Sequence, residues 1–491
     1  MSVSSAAAKD EARLAELGYS QELKRGLQGF DAVALGFAGI SPVVGLYAVV
    51  LVGTVVAGPA WIWVLPIALA GQCLLLAVYS ELASEFPIAG GPYQWSRRLL
   101  GSGYGWFNGW VALCAYATAN TTIAYLGAPW LLTLFGVEAT PHGIVLAGMA
   151  LVVVAAAIGA LGIDLAAKIV RAGIAAEAIA SVGIALALLV VFRDQQLSIF
   201  TDTFGAEALS GGSVLAAMLA ALAVGGWVFI GFDCAVGVAE ETQDAARHVP
   251  LAIWIALLSV GALVIANAIA VTLAHPDPAG VVAGADLDPV TTAVTTSFGG
   301  WSDKPFALVV ATAFLACAVA AQGVTARMAY SMARDRALPG SSLLAKVDRR
   351  ANPIGGIVAT ALVGCAGLLL GLESTAVGSL IAFGTAAIYV SFLLVAVAAL
   401  IARLRGDWAP AGGFGLGRWG LPVNLAAVVW LAFETANIAW PRASLAPPGA
   451  PLYQVWAAPL ALCAIVVLGT VYLLVSRPGD RLGSAASRRA G

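Results

Sequence analysis

Two short stretches in an otherwise apolar chain hold residues suited to ligand chemistry. The first is Gly36-Phe-Ala-Gly39-Ile40-Ser41-Pro42-Val43-Val44-Gly45. Pro42 has no amide hydrogen and disfavours a helical conformation in the residue before it, so a helix kinks or breaks here. The second is Gly225-Gly-Trp-Val-Phe229-Ile230-Gly231-Phe232-Asp233, three glycines followed by an acid. A broken helix frees backbone groups. Its new N-terminus offers amide hydrogens and positive dipole to an anion, and its new C-terminus offers carbonyls to a cation. The donors are expected between Ser41 and Gly45, the acceptors near Ala38–Ile40 and Phe229–Gly231. Glycine lets a ligand approach the backbone closely. Phe229 and Phe232 either cover a ligand or pack in the core. Asp233 either faces a polar cavity or caps a helix end. A third residue, Glu177, stands alone in Ala175-Ala-Glu177-Ala-Ile-Ala. It is either a proton-exchanging carboxyl or a structural acid bonded between helices.

The elements that position these residues must lie in a membrane. Of 491 residues, 60% are hydrophobic and 11% charged, and mean hydropathy is +0.92. Soluble proteins carry about 25% charged residues. This composition excludes a soluble enzyme, a nucleic-acid binder and a disordered chain. The 27 acidic and 25 basic residues nearly balance, so no polyanionic partner is implied. Six cysteines, at 73, 114, 234, 317, 365 and 463, form no CxxC pair, and the three histidines fall outside the apolar runs. No disulfide frame, metal site or cofactor is expected. The polar segment 1–28 has no apolar core, which argues against a cleavable signal peptide. It is expected to lie free or on the membrane surface.

A helix needs about 20 apolar residues to cross the bilayer. Twelve stretches qualify, at roughly 30–57, 61–86, 104–136, 143–161, 166–192, 214–239, 250–274, 305–334, 353–371, 376–402, 421–440 and 453–476. An even number puts both termini on one side. With the N-terminus inside, 22 of the 25 Lys and Arg lie on inner segments, and only Arg193, Lys304 and Arg442 lie outside. The positive-inside rule therefore places both termini in the cytoplasm, and the expected location is a plasma membrane, of the bacterial cytoplasmic type. Trp61, Trp130, Trp301 and Trp440 fall near span ends, where interfacial belts form.

The two breaks fall in the first and sixth crossings. Units of five helices repeated in tandem have inverted topology, and paired discontinuous helices mark secondary transporters with a midplane site. The expected architecture is all-α, with twelve transmembrane helices in a 5+5 inverted repeat plus two peripheral helices. Its parts are an N-terminal tail (1–28), a first unit (29–192), an outer loop (193–213), a second unit (214–402), helices eleven and twelve (403–476) and a C-terminal tail (477–491).

The motifs themselves resemble the amino acid–polyamine–organocation superfamily of transporters. Phe229-Ile-Gly-Phe-Asp233, then Ala239-Glu240-Glu241-Thr242 and Arg247-His-Val-Pro250, is similar to the family's sixth span and the loop leaving it. Ser80-Glu81-Leu-Ala-Ser-Glu85-Phe-Pro87-Ile-Ala-Gly90-Gly-Pro-Tyr93-Gln-Trp95 is similar to the loop after the second span. Arg327-Met-Ala-Tyr-Ser-Met-Ala-Arg334-Asp-Arg-Ala-Leu-Pro339 is similar to the loop after the eighth. With Ile40-Ser-Pro-Val-Val-Gly45, these look closest to the amino acid/choline transporter branch, across about residues 25–480.

The resemblance implies the leucine-transporter-type fold, in which spans one, two, six and seven rock against three, four, eight and nine. It implies a small-molecule substrate, an amino acid whose carboxylate and ammonium meet the two broken helices. An anion at Asp233 keeps amine-type cations open: polyamines, γ-aminobutyrate or choline. Glu177 occupies a place where several relatives have a sodium-mimicking lysine, which makes it a candidate for proton coupling. The eighth span around Ala311–Ala321 is poor in the oxygens sodium prefers, so proton symport or exchange is favoured. Arg97, Arg98, Glu240, Glu241 and Arg334 form either an inner gate of salt bridges or a solvated loop. Asn108, Asn120, Thr121 and Thr122 are candidates for the scaffold side of the cavity, while Glu434 lies outside the expected transport core. A membrane enzyme would need paired acids, HExxH, GxSxG or a His cluster at membrane depth, and the sequence has none. A nutrient sensor on a transporter fold is the alternative of another class. Oligomeric state is left open.

Overall fold

The computed structural model describes residues 3–47, 49–372, 376–408, 410, 413–446, 449–476 and 478, with backbone alone at 3–7 and 376–383. The described residues are predominantly helical and contain no strand. Eleven helical stretches among them are long and apolar enough to cross a membrane. The other expected crossing, 104–136, is the 34-residue helix Ser102–Phe135. It is long enough to span, and its polar Asn108, Asn120, Thr121 and Thr122 are buried inside the bundle. The expected C-terminal tail at 477–491 falls almost wholly outside the described residues.

The first crossing is three helical pieces: Gly29–Ile40, Pro42–Tyr47 and Val50–Ala57. Gly58, at φ +61°, then turns the chain toward the second crossing, Val64–Glu85. A Cβ at Gly58 would meet the Thr203 backbone at 2.4 Å, so the turn and the outer loop are built against each other. The sixth crossing is also in pieces: Val214–Gly225, a tight turn at Gly226–Phe229 and Cys234–Gly237. The helix Ser102–Phe135 is central, packing against the eighth crossing (Asp303–Arg334) and the tenth (Ala376–Arg405). The loop after the seventh crossing folds into two short helices, Pro278–Val282 and Pro289–Phe298, capped by the Asp277 and Asp288 side chains.

Of the four tryptophans expected at the interface, Trp301 and Trp440 are exposed. Trp61 is instead buried against Gly53, and Trp130 stands edge-on to Phe306.

The N-terminal segment differs from its expectation. Rather than lying free or on the membrane surface, it forms the helix Val3–Glu16 and a strap packed on one end of the bundle. Leu27 donates its amide to the Glu241 carbonyl and accepts from the Gln243 amide, both at 2.9 Å. Arg13 pairs with Glu85 at 2.7 Å, and Arg25 with Asp10 at 3.2 Å. Some of its charges pair within the segment, as Arg25 does with Asp10, and others reach the bundle, as Arg13 does to Glu85.

Candidate substrate site and closed end

The break in the first crossing falls at Ser41, whose φ of 47° is sparsely populated for a non-glycine residue. Its amide still closes the first half-helix by donating to the Phe37 carbonyl (2.7 Å). Its hydroxyl donates to Glu177 Oε1 (2.5 Å) and accepts from the Val44 amide (3.1 Å). The Val43 amide donates to the same Glu177 oxygen at 3.0 Å, and the Gly45 amide to the Ser41 carbonyl at 2.9 Å. The donors expected to meet a ligand between Ser41 and Gly45 are therefore all partnered inside the protein. A helix N-terminus attracts a carboxylate, and the buried side chain of Glu177 supplies one.

The break in the sixth crossing falls at Ile230 and Gly231. Gly231 has φ +113°, a conformation open to glycine. Close approach also demands it. A Cβ at Gly231 would lie 2.2 Å from the Gly39 carbonyl oxygen, and one at Gly39 would lie 2.4 Å from the Gly231 oxygen. A Cβ at Gly45 would reach the Val228 oxygen at 2.9 Å. The two breaks thus touch backbone to backbone, rather than facing each other across a gap.

A small, largely apolar cavity lies beside this contact. Gly39, Ile40 and Val44 line it from the first crossing, and Trp227, Ile230, Gly231 and Asp233 from the sixth. The eighth contributes Cys317, Ala321, Val324 and Thr325. The third contributes Tyr116, whose hydroxyl donates to Asp233 Oδ2. Of the candidate residues, Ser41, Pro42, Val43, Gly45 and Glu177 do not line the cavity; they build its supporting backbone.

Phe229 and Phe232 are not a lid. Both are fully buried, and Phe232 packs on Tyr79 and Phe392 at 5.6 Å between ring centroids. Trp227 supplies the aromatic wall instead. Asn108 and Asn120 are not cavity residues either. Asn108 donates to Ser96 Oγ (2.7 Å) and accepts from Ser391 (2.8 Å), while Asn120 donates to Gln322. Each is a bond between helices. Tyr116 and Trp227 escaped the sequence reading. Trp227 sits next to Gly225-Gly226, a signal that could have found it, whereas nothing around Tyr116 marks it.

The three loop motifs meet at the end covered by the N-terminal strap. Glu240 pairs with Arg334 at 2.8 Å and accepts the Ala89 amide at 3.1 Å. Glu241 pairs with Arg327, and Arg97 with Asp335. Among the gate candidates, only Glu240 and Arg334 pair with each other. Arg98 donates to the Leu17 carbonyl at 2.7 Å. Tyr19 of the strap donates to Asp335 Oδ2 at 2.8 Å and lies under Arg334, whose guanidinium carbon is 4.0 Å from the ring centroid. Burial, with help from the Asp335 carboxylate, pushes the Tyr19 phenol above its ordinary value. Charges this deeply buried are stable only when paired, so this end of the bundle is shut.

A family model described as amino acid permease matches residues 27–470. The chain belongs to the amino acid permease family. An amino-acid permease BAT1 homolog of Oryza sativa subsp. japonica is 28% identical over 467 residues, covering 88% of this chain and 87% of its own. The amino-acid permease BAT1 of Arabidopsis thaliana is 25% identical over 499 residues, covering 95% and 93%. A vacuolar cationic amino acid transporter 2 of the same plant is 27% identical over 407 residues, covering 78% and 61%. This permease is accordingly a membrane-embedded amino acid transporter and not an enzyme.

Proposed function

We propose that this permease is a secondary active transporter that moves an amino acid by alternating access, with a proton as the coupling ion. The observation that carries this reading is Glu177 Oε1 holding both Ser41 Oγ and the Val43 amide. An ionised carboxylate makes such bonds about twice as strong as a neutral acceptor does. Protonation of Glu177 loosens them and frees the half-helix for the substrate carboxylate. Proton and amino acid then bind together, which is the logic of symport. The eighth crossing supports a proton over sodium. It offers the cavity Thr325 as its one hydroxyl, and that hydroxyl already donates to the Ala321 carbonyl at 2.7 Å.

In this reading, 29–192 and 214–402 are the two five-helix units. Spans one, two, six and seven rock as a bundle around the Gly39–Gly231 contact. The strap end faces the cytoplasm of a plasma membrane, which the distribution of Lys and Arg favours, and its closed end leaves the opposite face as the entry side. Asp233 on the cavity wall favours a substrate with a second positive charge, in line with relatives named cationic amino acid transporters.

The test is uptake of labelled amino acids into proteoliposomes under imposed pH or sodium gradients. Accumulation driven by an inward proton gradient is expected. Accumulation that follows sodium and ignores pH would remove Glu177 from the coupling step.

A further inference from the structure

The eleventh crossing, Gly420–Ala439, carries a carboxylate that none of this uses. Glu434 is 0% exposed. Its Oε2 accepts from Asn437 Nδ2 at 3.3 Å, and its Oε1 has no hydrogen-bond partner. That oxygen faces Gly226, where the sixth crossing tightens toward its break. A Cβ at Gly226 would lie 3.3 Å from Glu434 Oε1 and 3.1 Å from the Tyr389 hydroxyl. Tyr389, from the tenth crossing, donates to the Gly226 carbonyl at 3.1 Å. It accepts from Gln72 Nε2, of the second crossing, at 2.6 Å. The other end of the Gln72 amide, Oε1, is also buried without a partner. Crossings two, six, ten and eleven thus meet in one buried polar cluster, and none of its members lines the substrate cavity.

The cluster has a way out. Asn437 and Arg442 line a groove at the protein surface, with Phe433 and Trp440 beside them and Leu209 and Ser210 across from them. Arg442 donates to the carbonyl and to Oδ1 of Asn437, both at 2.5 Å. A continuous polar path therefore runs from the groove through Asn437 to Glu434. Tyr389 and Arg442 are the titratable or charged side chains that face Glu434 among the described residues. The sixth crossing presents only its backbone there, and the second presents the neutral Gln72.

A half-satisfied carboxylate at membrane depth is costly as an anion, because no water reaches its free lone pairs. One proton removes the charge and turns an acceptor into a donor beside the Gly226 backbone. We propose that Glu434 is a proton-binding site, loaded through the groove at Asn437 and Arg442, whose occupancy governs movement of the sixth crossing at Gly226. This proton does not travel with the substrate and does not pass Glu177. Since Arg442 lies at the end opposite the strap, the pH that matters is that of the entry side.

Two measurements decide it. Purified full-length protein is treated with dicyclohexylcarbodiimide, which attacks protonated carboxyls in apolar surroundings, and Glu434 peptides are followed by mass spectrometry. Modification several-fold greater at mildly acidic than at mildly alkaline pH is expected. Equal modification at both, or none, overturns the proposal. This arm uses the wild-type chain and does not depend on transport, so it stands apart from the reading of Glu177. In proteoliposomes, Glu434→Gln is expected to make counterflow exchange insensitive to entry-side pH, fixed at the wild-type acidic rate, while Glu177→Gln keeps that sensitivity. A wild-type pH profile in Glu434→Gln overturns it as well.

Discussion

Glu177 Oε1 ties the two halves of the first crossing to the fifth, taking the Ser41 hydroxyl at 2.5 Å and the Val43 amide at 3.0 Å. A single oxygen thereby fills the anion site that a broken helix creates. In the proposed cycle a substrate carboxylate competes with an acid already in place, and the strength of that acid as an acceptor depends on its proton.

Replacing Glu177 separates its two roles. Glu177→Gln keeps the shape and an accepting oxygen but cannot change charge. Accumulation driven by a pH gradient is expected to fall at least about tenfold, equivalent to about 1.4 kcal/mol, while substrate exchange without a gradient persists. Glu177→Ala also strands Ser41 and the Val43 amide, at about 1–3 kcal/mol for each buried group left unpaired. Its melting temperature is therefore expected to fall well below that of the glutamine variant. Gradient-driven uptake and thermal melting in detergent check both.

The Gly39–Gly231 contact admits no side chain. At Gly231 an added Cβ meets both a backbone oxygen at 2.2 Å and a positive φ. Backbone cannot rotate away as a side chain can, so Gly231→Ala is expected to abolish the folded monodisperse protein. Gly183 has open space around its Cα and an ordinary helical φ. Gly183→Ala is expected to fold like the wild type. Size-exclusion profiles of fluorescent fusions distinguish the two.

The crossings and their two breaks are legible in the sequence alone. Hydropathy located the crossings, because a bilayer imposes one length scale on every apolar run. Pro42 and the glycines located the breaks, because they act on the backbone locally. Local pattern carries no information on what fills a freed amide, so it leaves Phe232 between lid and core and Glu177 between proton exchange and a structural bond, and it does not reach the partners of Glu241 and Arg97. The segment 1–28 is expected to lie free or on the membrane surface because its charges are ordinary in number. Only the fold brings Tyr19 to Asp335, which lies 316 residues away.

The buried ion pairs under the strap can be broken deliberately. Arg334→Ala leaves Glu240 buried without its cation, a loss of about 3–5 kcal/mol. Deleting residues 1–20 removes Tyr19 and Arg13 together. If these pairs form an inner gate, both changes are expected to raise maleimide labelling of Ser331→Cys, whose position is fully buried. The pH dependence has a definite sign. The Tyr19 phenol is raised above its ordinary value, so its contribution is complete below that value and is lost only as pH climbs through the raised one. Labelling is therefore expected to stay flat from neutral to mildly alkaline pH.

Asp233 and Tyr116 offer the sharpest test of where the substrate binds. The pair is fully buried, it borders the cavity, and its hydrogen bond links the sixth crossing to the third. Asp233→Asn keeps a side chain that Tyr116 can still bond, so the fold is expected to survive while uptake falls. Tyr116→Phe keeps the charge but removes its donor. That change costs stability, by about 1–3 kcal/mol for a buried acceptor left unmatched, and weakens the link between bundle and scaffold. If Asp233 selects for positive charge, Asp233→Asn should lose uptake of cationic amino acids more than of neutral ones, measured as the ratio of kcat/KM values. An unchanged ratio with reduced uptake of both would make the carboxylate a strut between helices. Wild-type uptake of both would remove Asp233 from the transport cycle.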